Sequence, residues 1–97
     1  MKKWELLCSF LHRTKKGEVD PDEKRRVVKE TSGITPNPFE CEFLREHVGF
    51  RLFFQLDAPD GFKAQIKADD ILKQIDGNDY LSKNYKMDAF YVQEWRR

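Results

Sequence analysis

The sequence predicts one α+β domain, spanning residues 1–97, in which a mainly antiparallel sheet carries two or three short helices. Its 97 residues are the length of one ordinary domain and leave no room for a second. Apolar and polar residues alternate on both sides of a turn within residues 50–68, which is typical of a β-hairpin. Residues 20–33 carry the start and stop signals of a helix.

The hairpin predicted over residues 50–68 is expected to form the centre of the sheet. One of its faces would carry an apolar row that continues after the turn: Phe50, Leu52, Phe54, Leu56, Phe62, Ala64 and Ile66. The turn DAPDG supplies Pro59, which fixes φ, and Gly61, which tolerates a positive φ. We therefore expect Phe54 to lie in the core.

The segment DPDEKRRVVKETSG predicts the first helix. Asp20 suits the N-cap, and Glu23 suits the position from which a capping box reaches back to that cap. Pro21 suits the first helical position, and Gly33 suits the residue after the helix end. A second, shorter helix is predicted over DDILKQIDG, residues 69–77, with one of its two leading aspartates as the cap.

Two segments fit both a helix and a strand, and in the second of them the strand is slightly favoured because Phe, Cys and Val are poor helix formers. In residues 3–13 the apolar side chains match both periods. In residues 38–48 the start resembles a helix cap, but Phe39, Cys41 and Phe43 alternate with glutamates as in a strand. A helix here would have the position of the reading helix in a winged helix-turn-helix. Its glutamates would then face phosphates, so the sequence argues against that interpretation.

The last predicted strand is MDAFYVQEW, residues 87–95. Phe90 and Val92 share one face of this strand, whereas Tyr91 and Trp95 share the other. A strand in a small domain has one clearly buried face. We therefore expect Phe90 and Val92 in the core, with Tyr91 and Trp95 partly exposed.

Composition and charge narrow the classes of function. The chain has 18 basic and 17 acidic side chains, so it lacks the cationic excess of proteins that grip phosphate backbones. No stretch approaches the roughly 20 apolar residues of a membrane span. The start MKKWELLCSFLHRTKK lacks the pattern of a signal peptide. We therefore expect a cytoplasmic protein with reduced cysteines and no membrane contact.

The cysteines and histidines are the strongest candidates for site chemistry: Cys8, His12, Cys41 and His47. Two Cys and two His can bind zinc, and a Cys–His pair can catalyse. However, their spacing is unlike that of compact zinc sites, and no nucleophile signature surrounds either cysteine. The sequence therefore predicts no catalytic residue, metal, cofactor or small-molecule substrate. A zinc-binding protein or a Cys/His enzyme is the second alternative function.

The outer face of the predicted hairpin is the candidate for nucleic-acid binding. It would present Arg51, Phe53, Lys63 and Lys67 together. In RNA-binding sheets, bases stack on aromatic rings while cations contact phosphates. Weak nucleic-acid binding, through this face or a winged-helix-like arrangement, is therefore the first alternative function.

The function that the sequence favours is a small non-enzymatic protein-binding module: an inhibitor, an adaptor or a homo-oligomerising accessory protein. Tyr91, Trp95, Arg96 and Arg97 belong to residue types enriched at interface hot spots. The expected partner is another protein or a second copy of the chain. The alternative for Trp95 is that it folds back beside Trp4 and belongs to the core.

Overall fold

The computed structural model of the protein describes residues 1–96 and contains a four-stranded sheet with three helices. The elements in chain order are β1 Lys2–His12, α1 Pro21–Thr31, β2 Glu40–Phe43, β3 Gly49–Ala58, α2 Gly61–Asp76, α3 Asp79–Asn84 and β4 Tyr85–Glu94. The strands follow the order β2-β3-β1-β4, and every neighbouring pair is antiparallel. The predicted α+β class with a mainly antiparallel sheet is confirmed.

The connections form two interleaved β-α-β units. The unit β1-α1-β2 has β3 between its strands, and the unit β3-α2-β4 has β1 between its strands. This β-α-β-β-α-β order is that of ferredoxin-like, or split βαβ, domains. The short helix α3 is added before the last strand.

The hairpin predicted over residues 50–68 is wrong in its second half. Strand β3 forms as predicted, but α2 follows it after two residues. Asp60 is the N-cap of α2, because its side chain accepts a hydrogen bond from the Lys63 amide at 2.9 Å. Phe62 and Ile66 therefore do not continue the apolar row of β3, and they are 73% and 49% exposed.

Helix α2 also includes the predicted short helix. Residues 69–76 are its second half, so neither Asp69 nor Asp70 caps a helix. The residues that α2 buries recur at helical spacing: Ala64, Ala68, Ile71 and Ile75. The following helix α3 was not predicted. Its cap is Asn78, whose side chain accepts from the Leu81 amide.

Both ambiguous segments contain strands. Residues 3–13 form most of β1, which pairs with β3 over ten residues and with β4 on its other side. Within residues 38–48 only β2 is regular, and the rest is irregular. The interpretation of residues 38–48 as a DNA-reading helix is therefore wrong.

Helix α1 forms where it was predicted, but one of its acidic residues has a different role. Asp20 caps the helix by accepting from the Glu23 amide at 2.9 Å. The Glu23 side chain, expected in a capping box, is buried and turns toward the sheet. The hydroxyls of Tyr80 and Tyr85 donate to its two carboxylate oxygens, each at 2.5 Å. Glu23 therefore ties α1 to α3 and to the start of β4.

The core lies between one face of the sheet and the helices. Its largest fully buried side chains are Phe50, Phe54, Leu6, Leu52, Ile71, Leu81, Val27 and Cys8. Phe54 is fully buried on the same face of β3 as Leu52 and Leu56, as expected. The predicted neighbour Ile66 is not part of this cluster.

Replacing Phe54 with alanine should lower the free energy of unfolding by roughly 3–5 kcal/mol, from lost transfer energy and a new cavity. Chemical denaturation of both proteins measures the difference. The matched control is Phe62→Ala, because Phe62 is 73% exposed. Equal losses in the two variants would contradict the assignment of Phe54 to the core.

Replacing Glu23 with glutamine should lower the free energy of unfolding by roughly 1–3 kcal/mol, because hydrogen bonds to a charged acceptor are weakened. Asp22→Asn is the control, since the Asp22 side chain is 90% exposed one position earlier in α1. Thermal denaturation of both variants tests the expectation. A Glu23→Gln protein as stable as Asp22→Asn would show that the two tyrosines do not depend on the carboxylate.

Candidate functional site

One face of the sheet is left without a covering helix in the described chain, and we call it the open face. Core residues such as Leu6 and Phe54 alternate along β1 and β3 with residues that point the other way. The strand pairing arranges these outward residues in rows across the sheet: Glu40–Phe53–Leu7–Tyr91, Glu42–Arg51–Ser9–Ala89 and Gln55–Glu5–Gln93.

Three aromatic rings form a cluster on the open face. The centroids of Phe39 and Phe53 lie 6.1 Å apart, and Trp95 meets Phe39 edge-on with centroids 5.1 Å apart. Phe39 lies beside the edge strand β2, whereas Trp95 continues the opposite edge strand β4, with its amide donating to the Lys3 carbonyl. The Trp95 ring therefore reaches across the two central strands. We call Phe39, Phe53 and Trp95 the aromatic cluster.

Four of the seven predicted binding residues share the open face: Arg51, Phe53, Tyr91 and Trp95. Lys63 and Lys67 do not, because the segment that carries them is the helix α2. The grouping of these lysines with Arg51 and Phe53 is therefore wrong.

The chain beyond β4 supplies the last predicted binding residue. Arg96 is exposed after the end of the strand. Arg97 lies outside the described residues.

The two faces of β4 differ in burial as expected, except that Phe90 is more exposed than predicted. Val92 is half-buried against the core, but Phe90, on the same face, is still 36% exposed at the sheet edge. Tyr91 on the open face is 46% exposed. Trp95 folds back over the sheet, although not beside Trp4, whose indole donates to the Ala58 carbonyl and whose ring adjoins Gly61.

Phe39 belongs to the site but is not among the predicted binding residues. Phe39 lies in the ambiguous segment 38–48, and nothing local in the sequence indicates a contact with Trp95. The hydrogen bond from the Phe39 amide to the Phe53 carbonyl, at 2.8 Å, brings Phe39 to the sheet. The alternation of Phe39 with glutamates was the one available signal that it could extend a strand.

The open face is not a basic surface. A cross-strand ion pair joins Arg51 to Glu42, with Nη1 and Oε1 2.8 Å apart, and Lys3 lies opposite Asp57. The outward residues of the four strands include more carboxylates than cations, although Glu5 is buried: Glu5, Glu40, Glu42, Asp57 and Asp88 against Lys3, Arg51 and Lys86. Phosphate backbones favour the opposite balance.

The two cysteines lie apart on the core side of the sheet. Cys8 and Cys41 flank Leu52 from its two neighbouring strands, so two strand spacings, about 9–10 Å, separate them. This exceeds the reach of a disulfide, and both are free thiols. Burial raises the pKa of Cys8 to about 12 and that of Cys41 to about 11, which disfavours the nucleophilic thiolate.

In residues 1–96, no group of three or more His, Cys, Asp or Glu is placed to hold a metal ion.

His12 is tied to the turn that follows β1. Its Nδ1 atom accepts hydrogen bonds from the Thr14 amide at 3.1 Å and the Lys15 amide at 2.9 Å, and its ring packs edge-on against Tyr85. Burial is the main cause that lowers the pKa of His12. Lys15 lowers it further, whereas Glu23 raises it. The imidazole therefore acts as an acceptor that organises residues 12–15.

In comparisons with known proteins, no family model, curated protein or solved structure matches the chain. Among the described helices, none combines the length and apolarity needed to cross a bilayer. The ferredoxin-like arrangement is shared by proteins of many functions, so the fold alone does not identify the function of this protein.

The stability of the protein should fall as the pH drops below about 6.5, the ordinary pKa of histidine. The folded state holds the His12 pKa below that value, so the unfolded state binds the proton more readily. The stabilisation from neutral His12 is complete above the pKa that His12 has in the unfolded chain. It is lost as the pH falls through the lower pKa of His12 in the folded protein. Protonation of His12 Nδ1 would also break its two hydrogen bonds, because the protonated nitrogen and the two backbone N–H groups are all donors. Denaturation midpoints of wild type and His12→Gln between about pH 8 and 5 test this. Identical pH profiles would contradict it.

Proposed function

We propose that this protein is a non-enzymatic protein-binding module and that its open face contacts the partner. One observation carries the proposal: an aromatic sheet face that no helix within residues 1–96 covers. A sheet with one uncovered face usually exposes polar side chains there, in alternation with the core. Here several aromatic side chains lie among the polar ones on that face.

Two aromatic side chains of the open face remain accessible to a partner. Phe39 is 44% and Tyr91 46% exposed, and they lie on opposite sides of the buried ring of Phe53. Leu7, half-buried, lies between Phe53 and Tyr91 in the same row. Contiguous apolar surface of this kind is typical of interaction sites, and aromatic residues are prominent among hot spots.

The same features argue against nucleic acid as the ligand. Phe53, the ring expected to stack with bases, is only 9% exposed because it packs with Phe39. Stacking needs an accessible ring face. The excess of carboxylates on the open face would also repel phosphates.

The excess of carboxylates on the open face favours a different protein as the partner over a second copy of this chain. Two copies meeting through their open faces would set the same carboxylate excess against itself, and like charges across an interface weaken association. We therefore propose a partner that presents apolar side chains surrounded by cations. We propose that the protein acts in the cytoplasm. Binding of this kind requires no cofactor or small-molecule substrate.

Site-specific photo-crosslinking tests the proposal. The variant carries p-benzoylphenylalanine in place of Tyr91 and is irradiated in the cells that produce the protein. We expect one discrete adduct with another protein, because Tyr91 would be buried in the interface. The control carries the same photoreactive residue in place of Phe62, an exposed aromatic on α2.

The outcomes separate the alternatives. An adduct from position 91 that is absent from position 62 supports a specific partner at the open face. An adduct of twice the mass of the chain would replace the hetero-partner with self-association. Adducts with nucleic acid, no adduct, or identical adducts from both positions would overturn the proposal.

A further inference from the structure

Strand β4 has an unused hydrogen-bonding edge. Within residues 1–96 it pairs with β1 on one side only. The Trp95 amide donates to the Lys3 carbonyl, so the backbone N–H and C=O groups of Trp95 point toward β1. Along an antiparallel strand these groups point to alternate sides. The residues that pair with Leu6 and Cys8, which are Val92 and Phe90, therefore direct their N–H and C=O groups away from β1. These groups are available to a further strand.

The centre of this edge lacks the usual protection against strand addition. Edge strands are normally blocked by charges, proline or bulges. A bulge opposite Ser9 and Phe10 and the charge of Asp88 protect one end, and Glu94 protects the other. Between them, residues 89–93 carry neither a charge nor a proline.

A groove lies beside the first residues of β4, on the helix side, next to the unprotected edge. Helix α2 flanks β4 there, and Met87 and Phe90 remain 42% and 36% exposed. The groove has a volume of about 290 Å³, and its apolar lining is Phe10, Leu72, Ile75, Leu81 and Met87. Arg13 and Lys73 bring two cations to its rim, together with Asp76.

We propose that β4 accepts an extended segment of a partner protein as a fifth strand of the sheet. Main-chain bonds to Phe90 and Val92 would hold the segment, and pockets for alternate side chains would select it. Its apolar side chains would pack against Phe90 and Met87. In the commoner antiparallel orientation its carboxyl-terminal side approaches Arg13, so an acidic residue or terminal carboxylate is favoured there.

The occupant that we propose is a foreign segment, because two β4 strands paired about Tyr91 would repel each other. Consider two copies of β4 paired antiparallel with Tyr91 opposite Tyr91. Asp88 of each copy would then lie opposite Glu94 of the other. Like charges directly opposite each other destabilise a strand pair. The bulge at Asp88 would interrupt the same pairing. This inference uses a surface different from the open face and does not depend on the proposal made for it.

Panning of a phage-displayed random dodecapeptide library against the purified protein tests the inference. The decisive variants are Phe90→Lys, on the edge strand β4, and Phe62→Lys, at an exposed aromatic residue of α2 that lies outside the sheet. We expect enriched peptides with alternating apolar residues and an acid near the carboxyl end. Phe90→Lys should weaken their binding about tenfold or more, because it places a charge on the edge strand. Phe62→Lys should leave their binding largely unchanged.

A second measurement checks the binding mode. Bound peptide should slow amide exchange of Phe90 and Val92, whose N–H groups would become ladder donors. Unfolding curves verify that both variants are folded. No enriched peptide, equal sensitivity to both variants, or unprotected edge amides would overturn the inference. Success here without a crosslink at position 91 would mean that the edge binds and the open face does not.

Discussion

The pairing of β1 with β3 is the constraint on which the rest of the structure depends. It aligns the two central strands over ten residues, and the alternation along them divides the molecule into two sides. Leu6 and Phe54, a cross-strand pair, enter the core, whereas Leu7 and Phe53, the next pair, enter the open face. A slip of one residue in either strand would exchange these sets. Core and candidate site are therefore fixed by a single register.

The elements with strong local signals were predictable, and the long-range pairings were not. Helix α1 was found from Asp20 and Pro21, because caps act within a few residues. The hairpin failed because apolar residues after Pro59 fit a period of two by coincidence, while Ala64 and Ala68 also fit a helix. The strand that pairs with β3 is instead β1, some 50 residues earlier in sequence, and its apolar residues on both faces gave no single period.

The same distinction explains the candidate site. Arg51, Phe53 and Tyr91 were placed correctly because each alternates with core residues inside its own strand. Lys63 and its helical neighbour Lys67 were misplaced only because the hairpin was extended through them. The contribution of Phe39 could not be predicted, because its contact with Trp95 spans the width of the sheet and depends on the strand order.

The two proposed surfaces meet along β4 and are chemically separable there. Phe90 lies on the helix-covered face of the sheet, while Tyr91, the next residue, lies on the open face. A strand added beyond β4 would place half of its side chains next to Phe90 and the other half next to Tyr91. It would thereby extend the open face by one strand width, about 4.8 Å. A partner that donates such a strand could continue from the edge onto the aromatic cluster, so that the aromatic surface and the unprotected edge serve one interface.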